Sequence, residues 1–224
     1  MDKSTIEVCD LIKTKMGLKQ AVFENAEKCF SMFKEIAKTY PEAYQSLHPD
    51  SGIEVKYESK LPLSFQLRFG SDILYFTMHS NVFAFNRDHE VMRMPYLRED
   101  KNHAYCGVIS IYNFLTDSLL YNRPNDLGYL IGRLFINDEN HCYIDGKREV
   151  GQVYHNFSTT VFDHNFAVMF LEAAIQYTIN FDLLAPPYEM VKEISVNEMQ
   201  ELENKQISLK TGKRLGFRFQ ADIQ

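Results

Sequence analysis

The hydrophobic rhythm of this chain changes at Pro41, and that change limits what it can fold into. Before it, Phe23, Ala26, Phe30, Phe33, Ala37 and Tyr40 recur at alternating steps of three and four, the spacing of one helix face. After it, Leu61, Leu63, Phe65, Leu67 and Phe69 alternate with mostly polar neighbours, as in a strand buried on one side. The pattern predicts an α+β fold: N-terminal helices and one long buried helix on a bent, mostly antiparallel sheet of about eight strands.

Local signals set the expected boundaries. Ser4 and Glu7 have the spacing of a capping box, with Ile6, Val8, Leu11 and Ile12 giving an apolar side. Gly17 is expected to bend or break this element, since an interior glycine costs about 1 kcal/mol. A second helix should run over 18–39, its main stripe broadened by Val22, Cys29 and Ile36. Pro41 should end it and open a loop over 41–52. Strands are expected near 53–58, 61–69, 72–79 and 82–86, with reversals at Gly70-Ser71 and Ser80-Asn81. Residues 87–104 read as a charged excursion carrying His89 and His103, with a short strand at Val91–Met94.

Further strands are expected near 105–114, 127–136, 141–145 and 147–154. Asn137–Asn140 and Asp145-Gly146 supply the turns, the latter of type I′. Asp163 or Thr160 can cap a core helix over 164–184, stopped before Pro186-Pro187. Ser195 and Glu198 form another capping box, for a helix to about Lys205, and a hairpin over 206–219 turns at Thr211-Gly212. Residues 1–184 thus read as one domain, with helices over 4–40 and the sheet over 53–154. Residues 185–224 read as a small helix-plus-hairpin appendage packed on it.

Composition bounds the class. With 45% hydrophobic and 24% charged residues, 224 residues can bury a substantial core and are too apolar for disorder. A net charge of −6 opposes whole-surface attraction to nucleic acid or anionic membrane. Cys9, Cys29, Cys106 and Cys142 lie far apart without a CxxC pair, as buried thiols of a reduced compartment would. The opening MDKSTIEVCDLIK lacks the apolar core of a signal peptide, so a cytoplasmic location is expected. The apolar run from Phe166 to Phe181 is interrupted by Glu172, Gln176 and Asn180 and is short for a bilayer, which favours a core helix.

Three features could carry chemistry. Glu172, Gln176 and Asn180 fall at i, i+4 and i+8, one polar line on an apolar rod. It is either the solvent edge of a core helix or a seam facing a cavity, where Glu172 and Gln176 would bind a ligand. Pro49-Asp50 followed by Glu54-Val55-Lys56 resembles the PD-(D/E)xK nuclease signature, across a gap shorter than that family's usual one. The resemblance implies carboxylates of Asp50 and Glu54 on a divalent metal, with Lys56 activating water or stabilising charge. The plain alternative is an exposed strand face. Third, Lys205, Lys210, Lys213, Arg214 and Arg218 lie beside Phe217 and Phe219 with no acid among them, a possible contact for single-stranded nucleic acid. Six acids over 182–203, against Lys192 alone, could equally neutralise that block within the chain.

The histidines have no HxH or HExxH spacing, and GxSxG, P-loop and GxGxxG motifs are missing, so no metal or cofactor is expected. These features favour a non-enzymatic cytosolic binding or interaction protein: a subunit, adaptor or inhibitor-like partner. It would meet another protein or its own copy and no membrane. The alternatives are a metal-dependent hydrolase, in its most specific form a nuclease built on Asp50, Glu54 and Lys56, and a small-molecule sensor with a cavity beside the 164–184 helix.

Overall fold

The computed structural model describes residues 2–200 apart from 123, 125, 152–155, 183, 184 and 198. A long helix, α1 (Lys3–Leu47), precedes β1 (Val55–Leu61), β2 (Ser64–Phe69), β3 (Asp72–Met78) and the two-residue β4 (Phe83–Ala84). Two 3₁₀ turns, Glu90–Arg93 and Lys101–Ala104, flank α2 (Pro95–Glu99). Then come β5 (Tyr105–Leu115), α3 (Thr116–Leu120), β6 (Tyr129–Ile136), β7 (Cys142–Gly146), α4 (Arg148–Gly151), α5 (His164–Ile179) and α6 (Tyr188–Val191). The sheet is antiparallel throughout in the order β1-β2-β3-β5-β6-β7, with β4 paired to the start of β5. The α+β class is therefore as the sequence pattern required.

Helix α1 departs from the expected pair of helices. It runs unbroken through Gly17 and Pro41. Proline in a helix interior costs about 3 kcal/mol. Here Tyr40 and Tyr44 flank it and face Val55, Leu67 and Phe69 across a shared cleft, so packing holds the last turns against the break. Ser4 lies inside the first turn, and Asp2 holds the cap position without a side-chain bond. The expected stripe is the buried one: Val22, Ala26, Cys29, Phe30, Phe33, Ile36 and Ala37.

Seven strands are described where about eight were expected. Residues 148–151 form α4, which buries Val150. Asp145 and Gly146 end β7, opposite Arg133 and Gly132, and make no turn. A Cβ on Gly146 would stand 2.7 Å from the Gly132 Cα, so this glycine serves a close backbone approach. The Val91–Met94 strand is instead a 3₁₀ turn over 90–93, where His89 Nδ1 accepts from Val91 N at 3.2 Å. Ser80-Asn81 leads out of the sheet, because β3 pairs with β5. Gly70, at φ +58°, turns the β2–β3 hairpin as expected. Asp163 caps α5, accepting from Phe166 N at 2.7 Å, and α5 ends at Ile179, short of 184. Met199 N bonds Ser195 O at 3.0 Å, and residues 196, 197, 199 and 200 are helical. The 206–219 hairpin lies outside the described residues.

Helices α1 and α5 cover one face of the sheet. Phe65, Phe76, Ile109, Ile111, Leu134 and Ile144 point into that layer. Phe65 and Phe76 stack across β2 and β3 with centroids 4.5 Å apart. Phe33 sits at its centre, 5.9 Å from Phe76, 5.1 Å from Phe162 and 5.9 Å from Phe170. On the far face, the 83–104 excursion closes a second cluster of Val91, Leu97, Cys106, Tyr143 and Phe157 over the β5–β7 end.

Helix and sheet approach closely where α1 crosses β5. A Cβ built on Gly107 would stand 2.3 Å from the Ala26 Cβ, whereas one on Gly17 meets nothing within 4 Å. The same substitution should therefore act with opposite signs. Gly107→Ala should lose about 1–3 kcal/mol by overpacking. Gly17→Ala should gain up to about 1 kcal/mol of helix stability. Urea unfolding of the two variants checks this.

Candidate functional site

The polar line on α5 resolves into two shallow grooves. Glu172, Gln176 and Asn180 are all exposed. Glu172 lines a groove of about 480 Å³ between α1 and α5, with Glu35, Thr39, Tyr40 and His164. Burial raises the Tyr40 phenol pKa, and the charge and hydrogen bond of Glu172 raise it further. Gln176 and Asn180 line another groove with Glu149 and Phe181. Asn180 is also the C-cap, its N–H bonded to Gln176 O at 3.1 Å. The three side chains share an edge but not one cavity.

Another cleft, also mostly apolar, opens beside the last turns of α1 and α5. Tyr40 and Tyr44 of α1, Ile53 and Val55 at β1, Leu67 and Phe69 of β2, and Ile175 and Ile179 of α5 enclose about 400 Å³, with Ser71 and Asp72 at its polar edge. Ser71 Oγ donates to Asp72 Oδ2 at 3.2 Å. Its size and lining suit a small, largely apolar molecule. No sequence signal marked this cleft, because its walls come from α1, the first hairpin and α5.

Asp50, Glu54 and Lys56 do not converge on one centre. Asp50 is exposed in the turn after α1, Glu54 pairs with Arg68 of β2, and Lys56 pairs with Glu58 at 3.0 Å. The Lys56 hydrogen bond holds the Glu58 carboxyl below its ordinary pKa. Among the described residues no three His, Cys, Asp or Glu side chains are grouped to hold a metal. Lys210, Lys213, Arg214 and Arg218 lie outside the described residues.

The thiols divide by burial. Cys9 is exposed, while Cys29, Cys106 and Cys142 are buried. Burial pushes the Cys29 pKa up to about 12, and raises Cys106 and Cys142 likewise. Those three are thiols rather than thiolate nucleophiles at neutral pH.

The densest polar cluster was not legible as a motif. The Tyr96 ring of α2 lies between two imidazoles: His103, centroids 4.1 Å apart and 8° from parallel, and His141, 4.7 Å apart. Tyr96 Oη donates to Glu139 Oε2 at 2.6 Å and accepts from the buried Asn137 Nδ2 at 2.8 Å. Asn137 Oδ1 accepts from the Glu139 and His141 amides, so one side chain shapes the β6–β7 turn and holds α2 against it. His103 Nδ1 faces Tyr96 O at 3.1 Å, and His141 Nδ1 faces Phe157 O at 3.0 Å. A carbonyl only accepts, so each Nδ1 carries the proton and donates. Burial and the Glu139 hydrogen bond raise the Tyr96 pKa, which keeps the phenol a donor. The cluster can latch two loops together, with the Glu139 carboxylate as its one ionised acceptor.

No protein family, curated protein or solved structure matches the chain. Among the described residues no helix is long and apolar enough to cross a membrane.

The latch has an acid limit. The Tyr96 hydrogen bond, opposed by burial and helped by His103 and His141, holds the Glu139 carboxyl below its ordinary 4.5. A depressed carboxylate stabilises the fold above its unfolded pKa and loses that contribution as pH falls through the folded value. Stability should thus fall below about pH 4.5, and less steeply in Glu139→Gln. Urea midpoints from pH 6 to pH 3 read the difference.

Proposed function

We propose that this chain is a cytosolic, non-enzymatic interaction protein, acting as a subunit, adaptor or inhibitor-like partner. One observation carries the reading: where large apolar side chains remain in water. Val8, Leu11, Ile12 and Met16 on the N-terminal third of α1, and Tyr188, Val191, Ile194 and Val196 beyond α5, are each at least 47% exposed. Single exposed apolar residues are ordinary, but runs of them mark contact surfaces. Native mass spectrometry of the full chain, purified gently from its own source, should find a stoichiometric companion chain. A bare monomer would overturn the reading.

The apolar cleft favours a second reading, a small-molecule sensor. About 400 Å³ lined by Tyr44, Leu67, Phe69 and Ile175 would take a small, mostly apolar ligand with one hydrogen-bonding end near Asp72. The same spectra should then carry an added mass of a few hundred daltons, absent in Ile175→Trp, which fills the cleft. An added mass that persists in that variant removes the cleft from the account.

A further inference from the structure

The 83–104 excursion leaves the sheet and returns to it at one place. Met78 of β3 pairs with Ile109 of β5, and His79 N donates to Val108 O at 2.9 Å. The excursion is therefore a loop closed at its base by the sheet, and lifting it breaks no rung of the β3–β5 ladder. Its own structure is local. It holds two 3₁₀ turns and the five-residue α2, and both turns are capped from within: His89 accepts from Val91 N, and Asp100 from Asn102 N at 2.8 Å. Its backbone pairs with the sheet through two residues, Phe83 with Cys106 and Ala84 with Tyr105.

The core divides along the same line. None of residues 83–104 belongs to the cluster that α1 and α5 bury against the sheet. Val91, Leu97 and Ala104 pack instead with Cys106, Tyr143 and Phe157 on the other face. The buried thiols divide likewise, Cys29 and Cys142 lying in the main cluster and Cys106 in the second. Side-chain hydrogen bonds add to the ties: Tyr96 Oη to Glu139 and Asn137, and Tyr143 Oη to Glu90 Oε1 at 3.2 Å. A segment that shares little backbone pairing and few buried contacts with the body opens before the body does.

We propose that residues 83–104 form a strap that lifts from the sheet as one unit while α1, α5 and the main core stay folded, and that the contact of Tyr96 with Asn137 and Glu139 is its catch. The strap bends at Ser80-Asn81 on one side and before Tyr105 on the other, where the chain rejoins β5. Lifting withdraws Val91, Leu97 and Tyr96 together, because they share one short segment. It uncovers Cys106, Phe135 and Tyr143, so the fold carries an apolar surface that is present only in the open state. Cys29 and Cys142 stay covered, since their cover comes from the helices.

The three buried thiols test it in a single sample. The full chain, with the exposed Cys9 changed to Ser, is labelled with N-ethylmaleimide across a urea series below the unfolding transition, and each thiol is read by peptide mass spectrometry. When reclosing outruns labelling, each rate reports the population of the state that exposes that thiol. Cys106 should label about 100-fold faster than Cys29 and Cys142, with a urea dependence smaller than theirs but not zero. Ile111→Val, in the main cluster, should speed Cys29 and Cys142 several-fold and leave Cys106 unchanged. Tyr96→Phe should speed all three about tenfold, because it weakens the closed state from which both openings start. One shared rate for the three thiols, or a Cys106 rate that follows Ile111→Val, would overturn the strap as an independent unit. So would a Cys106 rate indifferent to urea, which reports a fluctuation smaller than the strap. A Cys106 rate unmoved by Tyr96→Phe would overturn the assignment of the catch.

Discussion

The architecture depends on how closely α1 can approach β5. Gly107 offers no side chain and Ala26 only a methyl, so the helix lies low on the sheet. At that height Phe30 and Phe33 reach between the strands and α5, and both become fully buried. Burying a phenylalanine side chain contributes roughly 1.5–3 kcal/mol, and here rings from α1, the sheet and α5 share one centre. The same contact fixes the axial position of the helix. Tyr40 and Tyr44 then fall over the first hairpin, and the exposed residues 3–14 precede the helix's first contact with the sheet, Lys15 on Tyr105.

The two faces of the sheet are finished differently. The face under α1 and α5 is packed by an aromatic layer. The other is closed by the 83–104 excursion only at its β5–β7 end, where Tyr96, Asn137 and the two imidazoles tie the excursion to the β6–β7 turn. Across the rest of that face the charges neutralise one another in pairs: Lys56 with Glu58, Arg68 with Glu54, and Arg133 with Asp145. These pairs are largely solvated and contribute little stability. They do explain why the ExK pattern on β1 gathers no concentrated charge. Its acid and base each have a nearer partner on the strand surface.

The residues open to function are accordingly of two kinds. Apolar side chains lie along the free part of α1 and beyond α5, and an apolar cleft lies between the last turns of α1, the first hairpin and α5. The Glu172 edge sits between these regions, touching Tyr40 on one side and open to water on the other.

Local pattern determined the helical stripe from Val22 to Ala37, most of the alternating strands, the hairpin at Gly70 and a cap at Asp163 or Thr160, because each rests on residues within a few positions of one another. Tertiary structure decided the rest. Pro41 stays helical because Tyr40 and Tyr44 have a hairpin to cover, and Gly146 serves backbone approach because Gly132 lies opposite it. Tyr96 meets His141 across 45 positions of sequence. The line of Glu172, Gln176 and Asn180 was legible, but which grooves it faces was not. A spacing records which side chains share a face. What that face meets is fixed only when distant segments compete to cover it.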